Sequence, residues 1–278
     1  MNGVRGSRIP RAPNLMSAKL ILKQIAEHRL LSLDVFRLIG RNILGSQYAP
    51  YAGEYLKLFA LLGFIKKIRE TIVVSEENRL IISGFSNERE LTDYDVKVFK
   101  DRLVESNSVR WFLREIFDYE VKEHKWLDGP HALKLKDMAE EYMKLTNLSE
   151  ATSRREAKLI KDWLGQVGII EQSYYKRYYL TFGTISFEKF EKTFEETYKK
   201  LTKSNESGIR WLGIAPIRAL ICEGFGIGRR EFDDHFRRLV VSRRGALSTS
   251  PGSAAIEEVR KFGVVIDNRL VYYVKFEG

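Results

Sequence analysis

One pattern occurs twice in this 278-residue chain, and it limits the possible fold more than any other feature. In the segment LKLFALLGFIKKI (56–68), a basic residue, an aromatic residue and a leucine precede a glycine, and a β-branched run follows it. The segment IKDWLGQVGIIEQ (160–172) has the same character with different residues. Each copy predicts a helix that ends at Gly63 or Gly168 and continues into a strand. A repeat whose internal residues have diverged indicates a supersecondary unit that is present more than once.

The elements around the first copy follow a definite order. Apolar residues recur at helical spacing from Leu20 to Leu38, with Ser32 in a capping position, and again through the first segment itself. The period then changes, and FIKKIRETIVVSEENRLIIS (64–83) predicts a strand, a turn around Ser75–Asn78 and a second strand. Three short helices before a hairpin, with the LKLFALLGFIKK junction at 56–67, resemble the winged helix-turn-helix superfamily.

Two further regions extend this resemblance. Residues 131–146 and 149–170 predict two amphipathic helices, 169–182 predicts a hairpin, and VRWFLREIFDYE (109–120) is a candidate first helix of this second unit. The C-terminal region resembles a winged helix of altered order that closes on a hairpin turn at Asp267–Asn268. The predicted fold class is therefore mainly α with small β-hairpin wings (α+β), with two or three winged-helix units in tandem.

The predicted domain organisation has five parts. They are a flexible basic tail (1–16), a first winged-helix unit (17–85), a helical region with a second unit (86–182), a connecting helix and linker (183–207), and a C-terminal winged-helix-like unit (208–278). The aromatic stripe of Phe187, Phe190, Phe194 and Tyr198 in the connecting helix is predicted to pack against a neighbour and not to stack on bases.

The charge of the chain points to a polyanionic partner. The net charge is +10 and the isoelectric point is about 9.5. Residues 1–85 carry thirteen Lys and Arg against six Asp and Glu, and 208–278 carry twelve against eight, whereas the middle is balanced. No apolar run approaches the roughly 18 residues that a membrane helix needs. The lone Cys222 is expected to be buried, and we expect a cytoplasmic, nucleoid-associated protein.

The stretch 229–253 raises the question of an active site, because it holds Asp233, Asp234 and His235 among six arginines. Helical periodicity turns Phe232 and Phe236 inward and Asp233, His235, Arg237 and Arg238 toward solvent or a partner. Adjacent acids point about 100° apart on a helix and do not easily share one ion. The sequence therefore predicts no metal site, no cofactor and no enzymatic activity.

The resemblance also implies where DNA would be bound. In winged helices the third helix usually enters the major groove and the hairpin touches the backbone. In the first unit these positions are Gln47, Tyr48, Lys66, Lys67 and Arg69. In the second unit they are Thr152, Ser153, Arg154, Arg155, Lys158, Lys176 and Arg177. At the end of the basic C-terminal helix, Arg237, Arg238, Arg243 and Arg244 are candidate phosphate contacts.

The predicted function is that of a non-enzymatic protein that binds double-stranded DNA through tandem winged helices, for which transcription regulation is one fitting process. The alternative is a protein-interaction scaffold within a nucleic-acid machine, with a protein partner or a second copy bound through the central helical region. The third alternative, a metal-dependent nuclease, requires that Asp233, Asp234 and His235 lie close to other acidic side chains in the folded protein. No membrane is expected as a partner.

Overall fold

The structure is a computed structural model that describes residues 9–12, 14–45, 51–203, 211–243, 246–252 and 256–276. The protein is mainly helical with several small antiparallel sheets, which confirms the predicted α+β class. Contacts divide the chain into two compact bodies. One runs through Lys125 and includes Leu135–Ile169, and the other contains Trp126–Lys134 and everything from Ile170 onward. Along the described parts of the chain, no helix is long and apolar enough to span a membrane.

The first body opens with a compact order of elements that we call the first repeat. Its elements in chain order are α1 (Leu15–Ala26), β1 (Leu30–Ser32), α2 (Leu33–Leu44), α3 (Ala52–Leu61), β2 (Lys66–Ile68) and β3 (Thr71–Val73). The three strands form one antiparallel sheet in which β3, the last strand, lies between β1 and β2. Ser32 caps α2 as predicted, and Gly63 has the positive φ that ends α3.

The predicted hairpin turn at Ser75–Asn78 is wrong. The chain reverses at Arg69–Glu70, and the next segment is a helix, α4 (Glu76–Ser83). The Ser75 hydroxyl accepts a hydrogen bond from the Asn78 amide, and Glu76 and Glu77 lie in the positively polarised first turn. These capping interactions outweigh the β-branched composition that suggested a second strand.

The predicted tail is also wrong for residues 9–12 and 14–16. Ile9, Ala12 and Leu15 are buried, and the indole N–H of Trp163 donates to the Ala12 carbonyl at 2.6 Å. Asn14 caps α1, so the helix begins one residue before Met16. Apolar side chains spaced three apart hold this basic segment against the first body.

A helical connection and a second repeat follow. The elements are α5 (Asp93–Glu105), α6 (Asn107–Phe117), β4 (Tyr119–Glu120), β5 (Lys125–Trp126), β6 (Ala132–Leu133), α7 (Leu135–Thr146), α8 (Glu150–Gln166), β7 (Ile170–Gln172) and β8 (Tyr178–Leu180). From α6, with the β4–β5 hairpin set aside, the order is again helix, strand, helix, helix, strand, strand, and β8 lies between β6 and β7. The short strand β6 was missed, since the helix predicted from His131 begins at Leu135.

The third repeat lies in the second body. It consists of α9 (Phe187–Lys203), β9 (Leu212–Gly213), α10 (Ile214–Phe225), α11 (Arg229–Ser242), β10 (Leu247–Ser250) and β13 (Tyr273–Phe276). Between the last two strands the chain inserts α12 (Ile256–Phe262) and a hairpin of β11 (Val264–Ile266) and β12 (Arg269–Val271). The sheet again places its last strand, β13, between the other two. The hairpin turns at Asp267–Asn268 as predicted, with both residues at positive φ.

The core of the second body explains the aromatic stripe. Phe190 and Phe194 of α9 are fully buried and pack against Phe232 and Phe236 of α11. The stripe is therefore core, as predicted, but α9 is the first helix of the third repeat and not a connection between domains.

Candidate nucleic-acid interface

The hairpin of the first repeat presents the simplest basic surface. All three residues of β2 are exposed, and Arg69 occupies the turn with a positive φ of 54°. In the described residues, none of Lys66, Lys67 and Arg69 has an acidic partner within ion-pair distance. We call Lys66, Lys67 and Arg69 the basic hairpin. Its cations can neutralise an external anion because no carboxylate of the described residues pairs with them.

The third helix of the first repeat offers much less. Gln47 and Tyr48, the predicted contacts before α3, lie outside the described residues. The exposed positions of α3 are Gly53, Lys57 and Ala60, and Lys57 pairs with Glu54 at 2.6 Å. Among these described residues, the unpaired cations of the first repeat lie on the hairpin and not on α3.

The candidate residues of helix α8 in the second repeat lie on different faces of the helix and differ in exposure. Ser149, the first residue of the predicted helix, caps α8. Arg154 and Lys158 are exposed one turn apart, although Lys158 also pairs with Asp162 at 2.8 Å. Arg155 is half-buried beside Glu156 at 3.6 Å, and Thr152 is half-buried.

Ser153 is not a surface residue. Its side chain is fully buried, because Ser153 lies on the same helical face as the core residues Ala157, Ile160 and Leu164. The prediction that it contacts DNA is wrong. Arg154 is thus the position on this helix that best fits an external contact.

The hairpin of the second repeat, β7–β8, is held by protein groups of the third repeat. The Arg177 guanidinium forms a two-point hydrogen bond with the Glu223 carboxylate, with Nε 3.3 Å from Oε1. The Glu171 carboxylate accepts hydrogen bonds from the Arg229 amide and the Tyr179 hydroxyl, both at 2.9 Å. Glu171 therefore caps the N-terminus of α11, the position where an external anion would otherwise be attracted.

Exposure separates the two cations of this hairpin. Lys176 is exposed at the turn, where its φ is +58°. Arg177 already has a carboxylate partner whose side chain is only 8% exposed. Only Lys176 remains free for an external phosphate without a change in the protein.

Helix α11 answers the question raised by the stretch 229–253. Asp233 faces inward, where it pairs with Arg218 at 2.9 Å and lies 3.8 Å from Arg229. His235 is also turned inward, with Nε2 3.0 Å from the Ile185 carbonyl. The prediction that both side chains lie largely toward solvent or a partner is wrong, because Arg218 of α10 pairs with Asp233 and the His235 ring stacks on Phe190 of α9 at 5.0 Å between centroids.

The arginines of α11 have protein contacts as well. Arg237 pairs with Asp234 at 2.6 Å and donates to the Val265 carbonyl at 2.8 Å. Arg243 pairs with Glu191 at 2.7 Å, and Arg238 lies over the Phe187 ring at 3.9 Å from its centroid. Arg244 lies outside the described residues. Arg238 keeps an exposed side chain, so it and the exposed Arg230, which was not predicted, are the more available cations here.

Burial keeps two titratable side chains in the core of the second body protonated. Burial raises the pKa of the Cys222 thiol to about 12, so it stays protonated and unreactive near neutrality. Burial also raises the pKa of Tyr179, whose hydroxyl is bonded to Glu171. Within the part of the chain that the structure describes, no group of three or more His, Cys, Asp or Glu side chains could hold a metal ion.

Sequence reasoning missed the residues that hold the β7–β8 hairpin in place. Glu171 and Glu223 carry no local signal, since each resembles an ordinary charged surface position. Their partners lie far away along the chain. Comparison with known proteins supplies no further guidance, because no protein-family model, no curated protein and no solved structure matches this chain.

Proposed function

We propose that this protein binds duplex DNA, and that its three repeats are winged helices. The observation that carries the proposal is the basic hairpin of the first repeat, whose three exposed cations have no acidic partner among the described residues. The shared element order, with the last strand central in each sheet, supports the winged-helix assignment. Phosphate contact by the hairpin and groove contact by a third helix are the usual roles of these elements.

A division of roles follows for the candidate residues. Lys66, Lys67 and Arg69 would contact phosphates and so contribute affinity without sequence information. Arg154 projects from the second turn of α8, the third helix of its repeat, where a guanidinium can form a bidentate contact with guanine. Arg177 would contribute only indirectly, because it is paired with Glu223.

The basic hairpin is tested by Lys66→Gln/Lys67→Gln, measured by fluorescence anisotropy with a random-sequence duplex. We expect affinity to fall about tenfold or more and the salt slope to flatten by nearly 2, since each phosphate contact contributes about 0.9 to the slope. The matched control is Lys97→Gln/Lys122→Gln, which removes the same charge from exposed positions elsewhere. Equal losses of affinity in both double variants would show that the basic hairpin contributes only through the net charge of the protein.

Arg154 is tested on a duplex selected by the wild-type protein and on a scrambled duplex. Arg154→Ala should lose about 1–3 kcal/mol of discrimination between them if the side chain reads a base. Equal losses on both duplexes would make Arg154 a phosphate contact. No loss on either, with folding intact, would remove α8 from the interface.

The second candidate function is protein docking within a larger assembly. It is favoured by one specific observation, since the β7–β8 hairpin already bonds to protein groups of α10 and α11 in this chain through Arg177 and Glu171. If the chain shows no duplex binding at low salt, this candidate takes precedence.

A further inference from the structure

A cavity of about 500 Å³ lies in the first repeat, where the start of α1, the end of α2 and the start of α3 converge. Its walls combine aliphatic, phenolic and basic groups. The residues that matter for its chemistry are Arg11, Ser17, Ile43, Leu44, Tyr51 and Tyr55. The volume falls within the range of about 300–1,000 Å³ that is usual for small-molecule sites.

The segment that carries Arg11 is fixed on both sides. The Arg11 amide donates to the Glu54 carboxylate at 2.7 Å, and the next carbonyl, that of Ala12, accepts from the buried Trp163 indole at 2.6 Å. Beyond it, the Leu15 amide donates to the Gln166 side chain at 2.9 Å. The backbone is therefore positioned, and the exposed Arg11 side chain extends from a defined point on the rim of the cavity.

The composition of the walls selects a class of ligand. The lining residues within the described ranges include no Asp or Glu, and the nearby Glu54 is already bonded to Lys57 and the Arg11 amide. A cationic ligand therefore has no counter-ion, whereas an anion can meet the Arg11 guanidinium. The exposed ring of Tyr51 and the side chains of Ile43 and Leu44 provide flat and apolar surface for an aromatic ring.

We propose that this cavity binds one nucleotide, with its base against Tyr51, Ile43 and Leu44 and its phosphate at Arg11. The nucleotide comes either from solution or from an unpaired strand end. The strand-end source rests on the DNA-binding function proposed above. The buried Tyr55, whose hydroxyl is engaged by Ser17 and Asn14, forms the fixed inner wall.

The first experiment is calorimetric titration of the full chain with adenosine 5′-monophosphate and with adenosine. We expect saturable binding of the monophosphate and about tenfold weaker binding of the nucleoside, because the charge-assisted contact with Arg11 is lost. Arg11→Ala should bring the monophosphate down to the nucleoside level. Arg89→Ala, an exposed arginine outside the cavity, is the control and should bind as the wild type does.

The second experiment separates the two sources and does not depend on the charge of Arg11. Leu44→Trp fills the cavity and should abolish binding of the monophosphate. If the ligand is a strand end, wild type should prefer a duplex with one unpaired nucleotide over a blunt duplex, and Leu44→Trp should lose only that preference. If wild type binds the monophosphate but shows no such preference, the site takes free nucleotides.

Failure of this proposal is distinct from failure of duplex binding. Absence of saturable monophosphate binding to folded wild type, or equal affinities for the monophosphate and the nucleoside, would overturn the nucleotide site. Either result leaves the effect of Lys66→Gln/Lys67→Gln on blunt duplex unaltered. Conversely, if wild type binds the monophosphate but no blunt duplex, the nucleotide site is supported and the duplex-binding role of the basic hairpin is contradicted.

Discussion

At the scale of single residues, Lys19 and Asp95 form a fully buried ion pair at 3.0 Å in the first body. The Lys19 ammonium also donates to Ser86 Oγ and to the carbonyls of Glu88 and Glu90, at 2.6–3.0 Å. One cation thus ties α1 to α5 and to the loop that precedes α5. A buried charge is tolerated only when its hydrogen-bonding capacity is used, and here it is.

Replacement of this lysine should be severely destabilising. Lys19→Met leaves Asp95 buried without its cation, so we expect the free energy of unfolding to fall by about 3–5 kcal/mol. The exposed pair of Arg37 and Asp34 supplies the control, and Arg37→Met should cost less than about 1 kcal/mol. Urea denaturation measures both, and similar losses from the two variants would contradict the assignment.

The same pair predicts a dependence of stability on pH. Burial alone would raise the pKa of Asp95, but hydrogen bonds from Thr92, Lys19 and Ser86 outweigh it and lower the pKa below its ordinary value of 3.8. The stabilisation is therefore complete above the ordinary pKa and is lost as the pH falls toward the pKa of the folded state. The temperature of thermal unfolding should fall less steeply between about pH 6 and pH 3 in Asp95→Asn than in wild type.

At the scale of elements, the β7–β8 hairpin shows that one type of element serves two purposes in this chain. The hairpin of the first repeat leaves its cations free, whereas that of the second is bonded to α10 and α11 through Arg177 and Glu171. The Tyr174 ring adds an edge contact with Phe262 of α12 at 5.3 Å. The second hairpin therefore stabilises the second body.

Adjacent positions of this hairpin provide a matched comparison. Arg177→Ala leaves the Glu223 carboxylate buried and unpaired, and should lower the free energy of unfolding by about 1–3 kcal/mol. Lys176→Ala changes an exposed neighbour and should stay within about 0.5 kcal/mol. In a double-mutant cycle, Arg177→Ala and Glu223→Ala should be non-additive. Additive losses would show that the two side chains do not interact.

At the scale of the whole molecule, the charge is concentrated toward the chain ends, and much of the C-terminal share is used within the protein. Arg218, Arg237 and Arg243 all have acidic partners. The +10 net charge therefore overstates the number of cations available to a polyanion.

We expect duplex binding to involve about five or six phosphates, which corresponds to a slope near −5 in a log–log plot of affinity against salt. A slope near zero would rule out phosphate neutralisation as the source of affinity. Magnesium should leave the duplex intact, since no metal-binding cluster occurs in the described residues. Cleavage that disappears in Asp234→Asn would instead revive the nuclease alternative.

The sequence by itself determined the features that depend on a few neighbouring residues. Helix ends at Gly63 and Gly168, the caps at Ser32 and Ser149, and the turn at Asp267–Asn268 each result from local backbone preferences. Helical periodicity was sufficient to place the aromatic stripe of α9 in the core.

The tertiary structure decided which charged residues are available. Arg177 and Glu223 lie 46 residues apart, as do Glu231 and its partner Ile185, so no local pattern could reveal these bonds. Strand β6 exists only because Ala132 and Leu133 find Tyr179 and Tyr178 as partners. A lysine or arginine looks the same in sequence whether it faces solvent or a carboxylate, because its long side chain meets whatever the fold brings within reach.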